Sequence, residues 1–318
     1  MAESSIKNEI RMVMVGKTGV GKSALGNSLL RKKHFASSAT GTSVTSKCKF
    51  GKGKLRDGTE ICIIDTSGIF DTRKSNEETT MEIVRCIGMS SPGPHVFFFV
   101  LRIGRFTDEE LKTIDHLVAI FGEDVINHVV IVFTGKDNLS HDGLTFENFL
   151  QKVPPKLNAL IRKCGSRCVT IDNYSRVAEE VQADVDSIIK MVRKTINQNG
   201  GTHYTGEMYR AAEEALKEKM RLIDEEKKRK ERELKKRYDA LERREKELEE
   251  TATKQTQQYE NERQRLVAEM AALRNSNPRQ QVREEMESSD GFLTTLFKAI
   301  GTAIVGAVTA VASRCTIS

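Results

Sequence analysis

The stretch GKTGVGKS, Gly16 to Ser23, fits G-x-x-x-x-G-K-S, with Gly16, Gly21, Lys22 and Ser23 at the fixed positions. Such a loop holds phosphate. Its glycines let the backbone wrap an anion, and successive N–H groups and a helix N-terminus face it. Lys22 is then placed for the β- and γ-phosphates and the Ser23 hydroxyl for Mg²⁺. Lys17, Thr18, Gly19, Val20 and Ala24 complete the candidate cradle. A second group, DTSG, offers Asp65 to hold Mg²⁺ through water and the Gly68 amide to meet a γ-phosphate. The segment FTGKD ends in Asp137, whose carboxylate can accept both N1–H and N2–H₂ of guanine, a pair adenine lacks. Asp137 therefore argues for GTP and GDP over ATP.

Around that carboxylate, Thr134 is expected to tie its loop to the cradle, and Lys136 joins the candidate nucleotide contacts. Gly135 stands where GTPases usually carry a lysine that stacks on the base, so stacking must come from elsewhere; Lys136 and Asn138 are the nearest substitutes in sequence. In TIDN, Asn173 is either a second base contact or a plain turn residue. One threonine must close over Mg²⁺ and the γ-phosphate in the active state. Thr45 is the first candidate, followed by Thr42 and then Thr40.

These groups need rigid elements behind them. IRMVMV at 10–15 reads as a buried strand entering the glycine loop, and KSALGNSLL as the helix leaving it. The segment from Ser46 to Gly68 reads as a hairpin with its turn at Asp57-Gly58 and the apolar strand ICIID on its far side. VFFFVLR and HVVIVFTGKD are continuous apolar strands of the kind buried on both faces. Between them, TDEELKTIDHLVAIFG is an amphipathic helix whose Thr107 and Glu110 form a capping box. Helices are also expected over 74–90, over TFENFLQKVPPKLNALIRKCG with a proline interruption, and over 175–197; RCVTIDN is the last strand. Strand and helix alternate throughout, which predicts an α/β fold of the P-loop GTPase type: Ras-like, three layers α/β/α, with a mostly parallel sheet.

The chain has 318 residues, too many for one ordinary domain, with 30% charged residues and a net charge of +6. No RNA- or DNA-reading motif appears, and the small basic surplus suits an acidic membrane face better than nucleic acid. The six cysteines lack zinc-site spacing, and no apolar secretory core precedes the first strand; both point to free thiols in a reducing, cytosolic setting. Residues 1–200 are assigned to the nucleotide domain, 201–287 to a charged helical tail and 288–318 to an apolar membrane-associating segment. Residues 207–274 hold no glycine or proline and carry four-apart pairs such as Glu226/Lys230 and Glu242/Lys246. Leu234, Tyr238, Leu241, Leu248, Tyr259, Leu266 and Leu273 fit heptad rows that Glu245, Gln255, Glu262 and Glu269 interrupt. Two forms stand equal: a coiled coil, or a solvated helix folding back on the domain. Pro278 ends or kinks that helix.

The residues resemble the GIMAP family, immunity-associated GTPases of the AIG type. The resemblance lies in GPHVFFFVLRIGRFTDEELKTIDHLVAIFGED above all, and in SVTSKC, DTSGIFDT, FTGKDNL and the CGSRC…DN ending, over about residues 8 to 200. It implies a guanine-nucleotide switch, cytosolic or on organelle and endomembrane surfaces, often in lymphoid cells, that pairs through its nucleotide face. The chain departs from the family's usual pattern at Ser67, Gly135, Ile171 and Asp172, which bear on base affinity more than on fold.

Ile69 follows DTSG where Ras-like switches place a water-orienting glutamine, so an isolated monomer is expected to hydrolyse GTP slowly. An arginine supplied by a second molecule would complete the site, and Arg105 is the candidate, with Arg102 and Arg73 behind it. The plain alternative pairs Arg105 with Asp108 or Glu109 at the surface. Residues 292–312 are apolar apart from threonines and Lys298 and would reach about 31 Å as helix, but the uncharged run Ala299–Ala312 is only fourteen residues long and suits a short, shallow or core segment better than a full span. The chain ends CTIS, a C-a-a-X form of the farnesyl type that makes Cys315 a candidate for prenylation; a full span and a prenyl anchor exclude each other there. The expected partners are a second copy of the chain, a membrane reached through the C-terminus, and a protein bound by the helical tail. The expected cofactors are GTP or GDP and Mg²⁺. The competing reading is a GTP-dependent membrane scaffold that barely hydrolyses.

Overall fold

The segment entering the glycine loop forms β1 (Glu9–Val15), and KSALGNSLL forms α1 (Lys22–Leu30) directly behind that loop. The computed structural model describes residues 9–36, 47–67, 76–104, 106–141, 143–249, 256–275, 277–288, 298 and 300. The hairpin follows as β2 (Lys49–Lys54) and β3 (Glu60–Asp65), closed at Asp57-Gly58, where the Asp57 carboxylate accepts the Thr59 N–H at 3.0 Å. Next come α2 (Asn76–Ser90), β4 (Val96–Arg102), α3 (Asp108–Phe121), a 3-10 turn at Glu123–His128 and β5 (Val129–Thr134). The short α4 (Asp137–His141), α5 (Phe146–Lys152) and α6 (Pro155–Lys163) lead to β6 (Cys168–Ile171) and α7 (Ala178–Gln198). Pro154-Pro155 divides α5 from α6, because a proline in a helix interior loses a hydrogen bond and clashes with the preceding turn. Glu110 caps α3 by accepting the Thr107 backbone N–H at 2.8 Å.

The six strands form one sheet in the order β2-β3-β1-β4-β5-β6. Every neighbouring pair is parallel except β2 with β3. The central strands are buried on both faces, with successive side chains on opposite sides of the sheet. Met12, Met14, Ile63, Phe98, Val100 and Val132 share one core with residues of α1 and α7. On the other face Phe97 meets Phe121 of α3 at 5.4 Å, and Phe133 meets Phe149 of α5 at 5.4 Å. This is the three-layer P-loop GTPase fold. The parallel register aligns the strand ends, with Met14 beside Asp65, Arg102 beside Thr134, and Thr134 beside Ile171. All three nucleotide motifs thus leave one edge of the sheet, at the switch point where the chain turns to opposite sides of β1.

The packing of this unit continues past residue 200, through Glu213. The Tyr204 N–H donates to the Pro94 carbonyl at 2.8 Å, and the buried Tyr209 hydroxyl lies 2.8 Å from Ser90 Oγ. Four of the five cysteines that can be described are buried and all five are free. Burial first, then the Glu82 charge, push the Cys86 thiol up to about 12, so it stays protonated.

Residues Glu214–Ser288 make a second compact unit. It holds most of α8 (Glu207–Glu249), then α9 (Thr256–Asn275) and α10 (Pro278–Ser288). The long charged run is thus two helices, and Pro278 begins a third. α9 returns antiparallel along α8: Lys227 reaches the Arg274 carbonyl at 2.9 Å, and Arg263 reaches Tyr238 and Glu245 at 2.9 and 3.2 Å. The tail therefore pairs with itself along α8 and α9. Among the described residues no helix is long and apolar enough to cross a membrane.

Candidate functional site

The backbone after Val15 turns sharply, with Gly16 at φ 146°. A Cβ at Gly16 would lie 2.5 Å from the carbonyl oxygen of Val100 on the neighbouring strand, so only glycine fits there. Gly21 then caps α1 without a side-chain hydrogen bond, which leaves the first N–H groups of the helix directed at the loop. Lys22 is buried, and its Nζ donates to the carbonyls of Gly16 and Lys17 at 2.9 Å each. Its stem therefore crosses beneath the loop and brings the ammonium to the loop's mouth. Ser23 Oγ donates to Asp65 Oδ2 at 2.6 Å, so the two candidate Mg²⁺ ligands meet although 42 residues separate them. Lys17, Thr18, Gly19, Val20 and Ala24 lie on the loop and the first turn of α1.

Behind Asp65, a buried carboxylate organises the neighbouring backbone. Glu82 of α2 accepts the Cys48 N–H at 2.6 Å and the Ser67 hydroxyl at 2.9 Å, and the Arg85 guanidinium lies 3.6 Å from its other oxygen. In sequence, Cys48 lies three residues after Thr45, and Ser67 precedes Gly68. Burial, with the Glu82 charge next, raises the Cys48 thiol well above its ordinary value, so it remains a neutral thiol.

At the base end, Thr134 Oγ1 donates to the Val20 carbonyl at 2.6 Å and fastens the FTGKD loop to the cradle. Asp137 opens α4 and is exposed. Lys136 turns away to pair with Asp184 of α7 at 2.5 Å. The second oxygen of Asp184 accepts the Asp172 N–H at 3.0 Å, so one buried carboxylate ties both base loops together. Asn173 is held through its amide oxygen by Ser28 Oγ of α1 at 2.9 Å, and Asp172 makes the local turn by accepting the Tyr174 N–H at 2.8 Å. Thr40, Thr42, Thr45, Gly68, Ile69, Arg73, Arg105 and Cys315 lie outside the described residues, as does most of the apolar run at 292–312.

Sequence reasoning missed Asp184 and Glu82. The available signal was a charge on a buried helix face: Asp184 adjoins Val185 and precedes Ile188 on the inward side of α7, and Glu82 adjoins Ile83 in α2. A carboxylate so placed needs partners, because an unpaired buried charge is costly.

The residues present fit a nucleoside di- or triphosphate with a hard divalent cation. The cradle excludes any Cβ at Gly16, an ammonium sits at its mouth, and a hydroxyl and a carboxylate, both oxygen ligands, converge beside it. Fold and site together define a P-loop GTPase architecture. Residues 10–226 match the AIG1 family, and the chain belongs to that family. It is 35% identical to immune-associated nucleotide-binding protein 8 of Arabidopsis thaliana over 205 residues, 64% of this chain and 58% of that protein. With protein 7 of the same series it shares 38% over 224 residues, 70% of this chain and 72% of the relative. The chain spans only 58% and 46% of the lengths of proteins 8 and 10. Among solved structures, Toc33 from Arabidopsis thaliana with GDP and Mg²⁺ aligns at a TM-score of 0.45 and 21% identity, over 59% of this chain and 85% of that one.

Proposed function

We propose that the chain is a guanine-nucleotide switch that binds GTP and GDP with Mg²⁺ and hydrolyses GTP slowly on its own. The observation that carries this reading is the convergence of Lys22, Ser23 and Asp65 beside the glycine cradle, with the exposed Asp137 on the same sheet edge. Membership of the AIG1 family, whose relatives include proteins named for nucleotide binding, supports it.

In this reading the backbone from Gly16 to Ala24 wraps the phosphates and Lys22 reaches the β- and γ-phosphates. Ser23, through its hydroxyl, and Asp65, through water, would hold Mg²⁺, which would supply positive charge beside the phosphates. Thr45 joins that coordination when its loop closes, and the Gly68 amide meets the γ-phosphate. Asp137 accepts the two guanine N–H groups. Hydrolysis is attack of water on the γ-phosphorus with loss of the bridging oxygen to GDP. Ile69 cannot orient that water, so Arg105 of a second copy, paired across the nucleotide face, stabilises the charge on the leaving oxygen. The C-terminal run, with Cys315 as a prenylation site, holds the switch at the cytosolic face of an intracellular membrane, in immune cells among others, and the tail recruits a protein partner.

A second reading rests on Ile69 alone: a GTP-dependent membrane scaffold with almost no hydrolysis. Turnover per protomer against protein concentration separates the two. A rate that rises with concentration and loses that rise in Arg105→Ala supports the paired switch, and a flat, very slow rate supports the scaffold. Guanine-free protein that takes up adenine nucleotide instead would sink both.

A further inference from the structure

Gly135 leaves the base loop without the side chain that would cover a purine, and the two neighbours that could replace it are engaged elsewhere. Lys136 pairs with Asp184, and the Asn138 amide lies 3.4 Å from the Ile103 carbonyl. A second cation stands beside the gap. Arg102, the last residue of β4, pairs in register with Thr134, the residue before Gly135. Gly135 has φ 76°, a conformation L side chains rarely adopt, and a Cβ built there would lie 3.1 Å from the Asn138 amide nitrogen, 3.6 Å from Arg102 Cγ and 3.7 Å from Arg102 Nε. The arginine stem and the root of its guanidinium therefore lie in van der Waals reach of the point where a side chain at 135 would begin. Arg102 is exposed and makes no ion pair with another described residue.

We propose that Arg102 is the base-covering residue of this chain: it supplies from the neighbouring strand the planar cation that position 135 lacks, stacked on the guanine that Asp137 reads by its edge. This rests on the guanine-nucleotide reading above. Guanidinium suits the task because it is flat, permanently charged and weakly hydrated, so it stacks on an aromatic face at less desolvation cost than ammonium. Stacking ignores the hydrogen-bonding edge of the base, so Arg102 adds affinity and Asp137 keeps the selection of guanine. The residue acts within its own protomer, which separates it from Arg105 and from the trans role its arginine chemistry also suggests.

The test uses the whole chain. GDP dissociation constants are measured by calorimetry for the natural protein, Arg102→Ala and Arg102→Lys, and melting temperatures are taken with and without GDP. Arg102→Ala is expected to bind GDP about tenfold more weakly, with Arg102→Lys between the two. The melting temperature without nucleotide should be unchanged, and its rise on adding GDP should shrink. In an Asp137→Asn background the loss on removing Arg102 should be the same size for XDP, since xanthine presents the same flat face. Unchanged GDP affinity in Arg102→Ala overturns the proposal. So does a lowered melting temperature without nucleotide together with full affinity, or an effect seen only in concentration-dependent turnover. If the natural protein binds no GDP, the functional reading fails and this proposal with it; if it binds GDP and Arg102→Ala binds equally, only this proposal fails.

Discussion

The phosphate end and the base end of the site are built by different means. At the proposed phosphate end, backbone would do most of the binding, and the side chains brought together come from one loop and the strand tip beside it: Lys22, Ser23 and Asp65. At the proposed base end the groups come from separate parts of the fold: Thr134 from β5, Asp137 from α4, Asp184 from α7, Asn173 after β6 and, by the inference above, Arg102 from β4. A backbone cradle fixes residue types and their spacing, because a Cβ at Gly16 meets a carbonyl oxygen that cannot move aside. A side-chain cradle tolerates exchange, since a side chain lost at one position can be replaced from another strand. The difference implies that substitutions at the phosphate end act sharply and individually, and those at the base end are graded and shared.

The largest effect is expected behind the phosphate end. Glu82→Ala removes a buried carboxylate that faces two donors and a guanidinium, and should lower folding stability by about 3 kcal/mol. Chemical denaturation measures it; a loss below about 1 kcal/mol would mean that water replaces the carboxylate and that this end is less rigid than its geometry suggests. Lys22→Ala comes next. Loss of charge-assisted hydrogen bonds to phosphate should weaken GTP and GDP by about a hundredfold, with the fold intact by circular dichroism. Equal binding by this variant would remove the cradle from the site altogether.

Asp184→Ala is the corresponding cut at the base end, and its expected effect is smaller: about tenfold in GDP affinity, since it releases Lys136 and the Asp172 N–H together. Asp184→Asn keeps an acceptor for Asp172 and should recover part of that loss. The same contrast explains what the sequence could disclose. The motif at 16–23, the hairpin turn at Asp57-Gly58, the Thr107–Glu110 cap and the buried strands are local patterns, each fixed by spacing within a few residues. Asp184 and Glu82 work through partners far along the chain, Lys136 and Cys48, and only the packing of α7 and α2 in the folded unit brings these together. The self-pairing of the tail was hidden for a related reason. Broken heptad rows do not specify a partner, and here arginines outside those rows complete the pairing, Arg263 on Tyr238 and Arg244 over the Tyr259 ring.

Asn173 gives the finest test of the contrast. Its amide oxygen is taken by Ser28 Oγ, so its role in the structure is to hold the TIDN loop against α1. On that basis Asn173→Ala should cost about 1 kcal/mol of stability and change GDP affinity less than about threefold. Ser28→Ala should cost a similar amount, and the double variant should cost little more than either one, because both cut the same bond. A tenfold loss of GDP affinity in Asn173→Ala with no such loss in Ser28→Ala would mean that the amide touches the base directly. The base end would then depend on one residue as sharply as the phosphate end depends on Lys22, and the distinction between the two ends would fall at the point where it is weakest.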